Sequence, residues 1–558
     1  MYEAVKQLIK QPETNPRAAN RATNKPPTPP IVDNIPHNRQ LSTFLCVLHV
    51  NNPSSYPQYA DNTVDNLGIN VSNYSHSPIM RENFSTRGKL VHTIVSMTSE
   101  QNSTTTPTTD SFLADASPRA VRKQLAAIAI PTLGQLIAEP IFILADTAFV
   151  GTISDTALAG LSIGSTIILT SVGLCLFLAY STTSRVSILM GSGRTREGLK
   201  AGTSGMWLAT LIGAVLTLAI VGGAYPISYT LGARGAVLDS ATVYVHTAGL
   251  GITGTLIAYA ANGMFRGLRK ANITLWSAVA GAVVNILLDA LFIFVFHWGV
   301  AGSGIATGIA QWLMCAIVVF YLLPILRRYQ VTLKPDFAGV KESAGDGLML
   351  FVRTAALRVG MVATVMVATA MGTGVLASFQ VINSSWNLAL NVLDAIGVGG
   401  QALVGAALGA KNIKLVHALI KEIERAGIIW GTYVGILFAI LGYSGAHLFT
   451  TDSATAGIIA MCALVVGTFF PYHGWLWALD GVLIGAGDFT YLAKLCSVSA
   501  VAHIVFLIIT FFAVHGASEL IQAIALWLVF NIVFMGIRGI GNINRAHTDT
   551  WIRAAIED

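Results

Sequence analysis

The sequence predicts an all-α membrane protein of about twelve spanning helices, in two six-helix lobes related by a pseudo-two-fold axis along the membrane normal. Three observations predict it. The chain is too apolar for water, its basic residues fall in alternate loops, and its two halves repeat.

The first observation is compositional. Of 558 residues, 53% are hydrophobic and 11% charged, with a mean hydropathy of +0.63; soluble domains carry roughly 25% charge. Apolar residues come in blocks of about 20 to 30, the length of a spanning helix, and not in the short alternating runs of a barrel. The net charge of +6 would suit a nucleic acid, but Lys and Arg are scattered among short loops, so lipid and a small-molecule substrate are the expected partners and nucleic acid is not. Cys46, Cys175, Cys315, Cys462 and Cys496 stand singly, without Cys-x-x-Cys spacing, so no zinc site or disulfide frame is expected.

Residues 1–118 differ in kind. Asn, Thr, Ser and Pro dominate, as in Thr104 to Thr109, and such a segment buries too little apolar surface to order itself. It is expected to be a disordered polar tail. Phe44 to Val50 is too short to span and lacks the flanks of a secretory signal. Met80 and Met97 both precede the first apolar block, so translation could start within the tail, leaving residues 1–96 untranslated.

Helices are expected near 121–150, 157–189, 201–225, 238–266, 273–297, 302–326, 345–371, 373–407, 414–442, 455–484, 491–514 and 518–541. This gives an N-lobe over 119–326, an inter-lobe loop at 327–346, a C-lobe over 347–545 and a tail at 546–558. The loops after even-numbered helices are basic: Arg194, Arg196 and Lys200; Arg266, Arg269 and Lys270; Arg327, Arg328, Lys334 and Lys341; Lys411 and Lys414. Arg234 is the exception among the other loops. The positive-inside rule then places the inter-lobe loop and both termini in the cytoplasm of a cell inner (plasma) membrane, with Arg119, Arg122 and Lys123 before the first helix and Arg538, Arg545 and Arg553 around and beyond the last.

The repeat is gapless. Asn262-Gly263-x-x-x-Gly267 corresponds to Asp480-Gly481-x-x-x-Gly485, 218 residues on (480 minus 262), and Leu158-Ala159 and Gly191 find Leu376-Ala377 and Gly409 at the same offset. Six helices per half make both halves enter the membrane in the same sense, with substrate carried between them.

A carboxylate at mid-membrane costs roughly 2.5–3.5 kcal/mol, so each one retained needs a cavity or a partner. Glu139 and Asp146 lie two turns apart on helix 1 and share a face; Asn285 and Asp289 are four apart on helix 5; Asp394 is on helix 8 and Asp480 on helix 10. At the 218 offset Asp146, Asn285, Asp289 and Thr307 become Thr364, His503, Leu507 and Ala525. The second half has lost those acids, which favours a cation or proton site at Asp146 and Asp289 over purely structural bonding. Paired carboxyl groups in a poorly solvated cavity exchange protons near neutrality, so a protonation switch is expected there. Pro131 and Pro140 interrupt the bonding of helix 1 and are the expected hinge. Asp480 is open to two readings, helix-bonding group or cavity acid. Arg185 and Arg353 are expected to reach the headgroups, Arg358 to pair with an acid of helix 8 or 10, and His473 and His503 to be satisfied buried histidines.

Ala145-Asp146-Thr147-Ala148-Phe149-Val150-Gly151, Asn262-Gly263-Met264-Phe265-Arg266-Gly267 and Asn285-Ile286-Leu287-Leu288-Asp289 together resemble the multidrug and toxic compound extrusion (MATE) family. Val392-Leu393-Asp394-Ala395, Gly400 to Gly405 and Leu479 to Asp488 look like its DNA-damage-inducible protein F branch. The likeness covers about residues 119–545. It implies a two-lobe antiporter, not an enzyme, that exports small amphipathic organic compounds in exchange for a proton, ahead of sodium, and needs no other cofactor. It also implies a coupling-ion site at Asp146, Asn285 and Asp289 supported by Asn262 and Thr307, with Pro131 as the bend-forming proline. Glu139, Arg358, Gln380, Asn383, Asp394 and Asp480 are the candidates for the substrate cavity of a monomer. Some members have a proline after the helix 5 aspartate, whereas Ala290 follows here, which leaves the local backbone and the choice of ion open. Acids in the cavity would favour cationic cargo. The rivals are a lipid-linked oligosaccharide flippase, which calls for several cavity Arg or Lys, a membrane-embedded enzyme, whose metal-binding motifs are missing, and a channel.

Overall fold

The computed structural model describes residues 115–548 and 551–552. The expected polar tail lies outside the described residues up to position 114, as do positions 549–550 and 553–558. Among the described residues twelve helices are long and apolar enough to cross a membrane: α1 (Pro118–Gly151), α2 (Asp155–Gly191), α3 (Thr195–Gly222), α4 (Gly235–Gly267), α5 (Ala271–Val295), α6 (Gly299–Arg328), α7 (Phe337–Met371), α8 (Thr373–Gly409), α9 (Ile413–Leu448), α10 (Ser453–Gly485), α11 (Phe489–Ala513) and α12 (Glu519–Ala546). A short helix, Ala224–Thr230, bridges α3 and α4.

Local chemistry sets the ends. The side chains of Ser117, Ser154, Asn412 and Asp452 accept backbone N–H bonds at the starts of α1, α2, α9 and α10, replacing partners that a helix N-terminus lacks. The inter-lobe loop is shorter than expected. Helix α7 begins at Phe337, so the connection is only residues 329–336 and the expected boundary at 347 falls two and a half turns inside a helix. Lys341, with Arg327, Arg328 and Lys334 before it, had marked this stretch as loop, but charge does not stop a helix, and Glu342 and Asp346 lie on it too. Lys341, Glu342 and Asp346 sit on a turn that projects beyond the apolar block. At the other end, Trp551 and Ile552 are buried against α1, α8 and α9 instead of trailing away as a tail.

The repeat is carried into the fold. Adding 218 to the bounds of α2, α4 and α5 gives the bounds of α8, α10 and α11 at both ends. Glycines show why the offset is kept. A Cβ on Gly191 would run into the Ala406 carbonyl, and one on Gly409 into the Ile188 carbonyl. Because 406 and 409 are 188 and 191 plus 218, the two contacts are images of each other, as at a two-fold axis. Gly263 against Ala179 and Gly481 against Gly397 form a second such pair, binding α4 to α2 and α10 to α8. No larger residue fits where backbones meet this closely.

The lobes meet at the end of the bundle that carries the basic loops. There Gln401 donates to the Tyr180 carbonyl at 2.6 Å and Ser184 to the Gly485 carbonyl at 3.1 Å. Arg185 pairs with Glu342 and, at 3.1 Å, with Asp346, and Lys200 reaches Asp336 at 2.9 Å. The hydrogen bond from Lys200 holds the Asp336 carboxyl below its usual range, so that tie stays charged at physiological pH. The expected headgroup role of Arg185 is therefore replaced by an ionic tie between lobes.

Candidate ion and substrate sites

Three helices of the N-lobe build an enclosed acidic cluster. Asp146 sits near the end of α1, Asn285 and Asp289 lie one turn apart on α5, and Thr307 is in the third turn of α6. Thr307 donates to Asp146 Oδ2 at 3.2 Å and accepts from Asn285 Nδ2 at 3.5 Å. The relative exposures are 3% for Asp146, 1% for Asn285, 0% for Asp289 and 5% for Thr307. Asp146 Oδ1, Asn285 Oδ1 and both carboxylate oxygens of Asp289 are buried without a protein donor. Among the described residues no Lys or Arg pairs with either acid. The acids do not face an open cavity: the cluster is closed, and what marks it is unanswered acceptor oxygens. Directly after Asp289 and Ala290 the backbone passes into a π turn, Leu291–Val295, where an α-helix loses its regular bonding. In the C-lobe the repeat mates keep the contact without the charge, since Thr364 Oγ1 lies 2.8 Å from His503 Nε2.

Two joined cavities lie between the lobes. The one on the N-lobe side, about 250 Å³, is lined by Gln135, Glu139, Tyr180, Tyr259, Asn262 and Arg266, with Arg358 and Asp394 from across. Its neighbour on the C-lobe side, about 240 Å³, is lined by Arg353, Arg358, Asn383, Trp386, Asp394, Trp477 and Arg538 among others. Glu139, Arg358, Asn383 and Asp394 are thus brought together at the centre. Asn383, Asn387, Asn391 and Asp394 recur every three or four residues and form a polar stripe on α8. Gln380 is one turn beyond Asn383, exposed, and outside both cavities. Asn262 lines the N-lobe cavity and makes no hydrogen bond to the acidic cluster, contrary to its expected supporting place there. Arg266, counted from sequence among the loop cations, is 4% exposed at the end of α4, donates to Gln135 at 2.9 Å, and has an unpartnered Nε.

Comparison with known proteins decides the lineage. A family model described as MatE matches residues 131–291 and again 350–509. The chain belongs to the MatE family. The two matched stretches begin 219 residues apart (350 minus 131) and end 218 apart (509 minus 291), in step with the repeat. The MatE chain is 24% identical over 446 residues to DNA damage-inducible protein F of Escherichia coli (strain K12), covering 77% of this chain and 94% of that one. It is 26% identical over 374 residues to Protein DETOXIFICATION 42 of Arabidopsis thaliana, covering 66% and 70%. An outward-facing multidrug resistance MATE family transporter superposes with a TM-score of 0.71 at 19% identity, covering 81% of this chain and 98% of that one. MatE proteins are membrane transporters and not enzymes, and this one is a multi-pass membrane protein.

In this MatE transporter the C-lobe acid Asp480 takes the first of its two readings, a helix-bonding group, and lines only a small gap of about 30 Å³ with Arg353 and Asp394. Arg353 and Arg538 donate to its Oδ2 at 2.6 and 2.5 Å, and Asn542 donates to its Oδ1 at 2.5 Å. Asp480 thereby binds α10 to α7 and α12. Arg353 and Arg538, read from sequence as facing the headgroups or flanking the last helix, are 8% and 1% exposed. A guanidinium inside the bundle needs a carboxylate more than a headgroup when one is within reach. Arg358 makes no ion pair with any described residue. His473 is satisfied on both sides: Trp386 donates to Nδ1 at 3.3 Å, so Nε2 carries the proton toward Asn531 Oδ1 at 2.7 Å. His503 has its Nδ1 unpartnered. Among the described residues no group of three or more His, Cys, Asp or Glu could hold a metal ion. The buried arginines were missed because sequence shows a charge near a helix end, not which way it turns.

Proposed function

We propose that this protein is a cation-coupled secondary antiporter that exports small amphipathic organic molecules by alternating access, with the proton ahead of sodium as the coupling ion. The observation that carries the reading is the closed Asp146–Asn285–Asp289–Thr307 cluster, in which three of the four carboxylate oxygens are buried without a hydrogen-bond partner and the fourth, Asp146 Oδ2, accepts only from Thr307. Two carboxylates cannot be desolvated side by side without a counter-charge, so a proton or cation shared between them is required. A proton needs only the two carboxyl groups, whereas sodium would have to gather most of the oxygens of these four side chains around itself at once.

Cargo and ion sites are separate but mechanically joined by α1. Glu139 lines the cargo cavity, and Asp146 lies seven residues on, about 10 Å along the same face. Pro131 and Pro140 leave the Ala127 and Leu136 carbonyls without their helical donors, so bending α1 at those turns, beside Glu139, breaks no bond there. Loading the cluster changes the charge beneath the last turns of α1, and bending then carries the change to Glu139. With the basic end in the cytoplasm of the plasma membrane, the lobes are closed inside, the cavities are reached from outside, and both termini are cytoplasmic. The working unit is a monomer, since both cavities and the cluster come from one chain. The flippase rival gains from the arginines, but the two cavities together, about 490 Å³ (250 plus 240), stay within the roughly 300–1,000 Å³ of ordinary small-ligand sites and suit a compact solute.

The test is transport in reconstituted vesicles under an imposed proton gradient and then a sodium gradient, using paired fluorescent cationic and anionic probes. Movement driven by the proton gradient is expected. Indifference of every probe to both gradients overturns coupled export.

A further inference from the structure

We infer that the cargo carries a negative charge: the C-lobe side of the central compartment is built to hold an amphipathic organic anion, with Arg358 as the group that receives it. The inference rests on reading the two cavities as the cargo compartment.

Positive charge outweighs negative in the compartment. The C-lobe cavity is lined by Arg353, Arg358 and Arg538 and by one acid, Asp394. Arg353 and Arg538 converge on a single oxygen of Asp480, so one carboxylate serves two guanidiniums, and the Nε of each has no partner. Including Asp480, three guanidiniums face two carboxylates. On the N-lobe side Arg266, buried and bonded only to the neutral amide of Gln135, stands with Glu139. Across the joined compartment four guanidiniums meet three carboxyl groups. A guanidinium does not release its proton in a protein, whereas a carboxylate can accept one. Any protonation of the acids therefore makes the compartment more positive, never less.

Arg358 is the member free to act on a ligand. It is exposed, lines both cavities, and has no carboxylate partner, so its planar fork is available for two parallel bonds to a carboxylate. The walls suit the rest of the molecule. Trp386, Trp477, Phe530 and Phe534 give one cavity a largely aromatic lining, and Asn383 and Asn387 supply neutral polar groups. Of the first-half acids behind the expectation of cationic cargo, Asp146 and Asp289 lie outside both cavities and Glu139 lines one.

The probes are 1-naphthoate and 1-naphthylmethylammonium, which share a ring system and differ in charge, titrated by calorimetry into the purified full-length protein. Naphthoate is expected to bind at least ten-fold more tightly. Arg358→Gln should weaken naphthoate binding roughly ten- to a hundred-fold, the scale of a lost charged hydrogen bond, and Arg358→Glu should reverse the preference. Because Arg358 supports no ion pair, its variants should keep the wild-type melting temperature. Asp394→Asn, which removes a negative charge from the same wall, provides an opposite sign and should tighten naphthoate several-fold. Tighter binding of the ammonium, no binding of naphthoate, or naphthoate affinity indifferent to both Arg358→Gln and Asp394→Asn overturns the inference. If naphthoate binds but no ion gradient moves it, coupled export fails and this inference stands. Gradient-driven transport of the ammonium alone does the reverse.

Discussion

Two buried aspartates show how differently the same side chain is used. Asp480 answers Arg353, Arg538 and Asn542 at once. Asp480→Asn would leave two guanidiniums facing an amide, and removing one partner of a buried ion pair costs about 3–5 kcal/mol. A sharp fall in melting temperature and yield is expected; an unshifted melt would show that the guanidiniums find water instead. Asp146 answers nothing but Thr307. Asp146→Asn should therefore leave the melt within a degree or two of wild type while abolishing proton-driven transport in vesicles, and wild-type transport by this variant would remove Asp146 from coupling. Sequence made both acids visible, because any charge inside an apolar block is costly enough to need a reason. It could not separate them. The partners of Asp480 lie 127 residues before it and 58 after it, and only the packing of α7, α10 and α12 brings them together.

At the scale of the helix, hydropathy located every end of a spanning block within six residues, except the start of α7, where eight residues of amphiphilic helix project beyond the apolar stretch. The π turns at Leu291–Val295 and Phe530–Phe534 had no signal in composition, since they arise from local bonding and neighbouring contacts. Prolines were the legible irregularities. Pro140 in α1 lies between Glu139 in the cavity and the turn below Asp146. Replacing it with Ala restores an N–H for the Leu136 carbonyl, a bond worth about 1 kcal/mol. Stability of Pro140→Ala should hold or rise, while proton-driven transport slows, because bending α1 would now break that bond. A melt read alongside initial transport rates checks both halves, and unimpaired transport would show that α1 moves as a rigid rod.

For the molecule as a whole, the question is what holds the lobes together at one end strongly enough to close it and weakly enough to let it open. Gly191 and Gly409 give close backbone contact there, which is short-ranged and lost as soon as the lobes part. Arg185, paired with Glu342 and Asp346, acts over a longer distance; its repeat mate is Leu403, so this tie exists once and not twice. Each partly exposed pair contributes about 0–1 kcal/mol, and one or two kcal/mol changes a two-state ratio roughly 5- to 30-fold. That is the range in which an alternating protein can be closed at rest and still cycle. Arg185→Glu replaces attraction by repulsion among three carboxylates and should shift the population toward opening at the basic end. Spin labels at positions 194 and 414, one in each lobe beside this closure, should then report a longer distance. Combining Arg185→Glu with Glu342→Arg and Asp346→Arg reverses all three charges together and should restore the shorter distance. If the single and triple variants give the same distance as wild type, the ion pairs play no part in keeping that end closed, and the glycine contacts alone must do so.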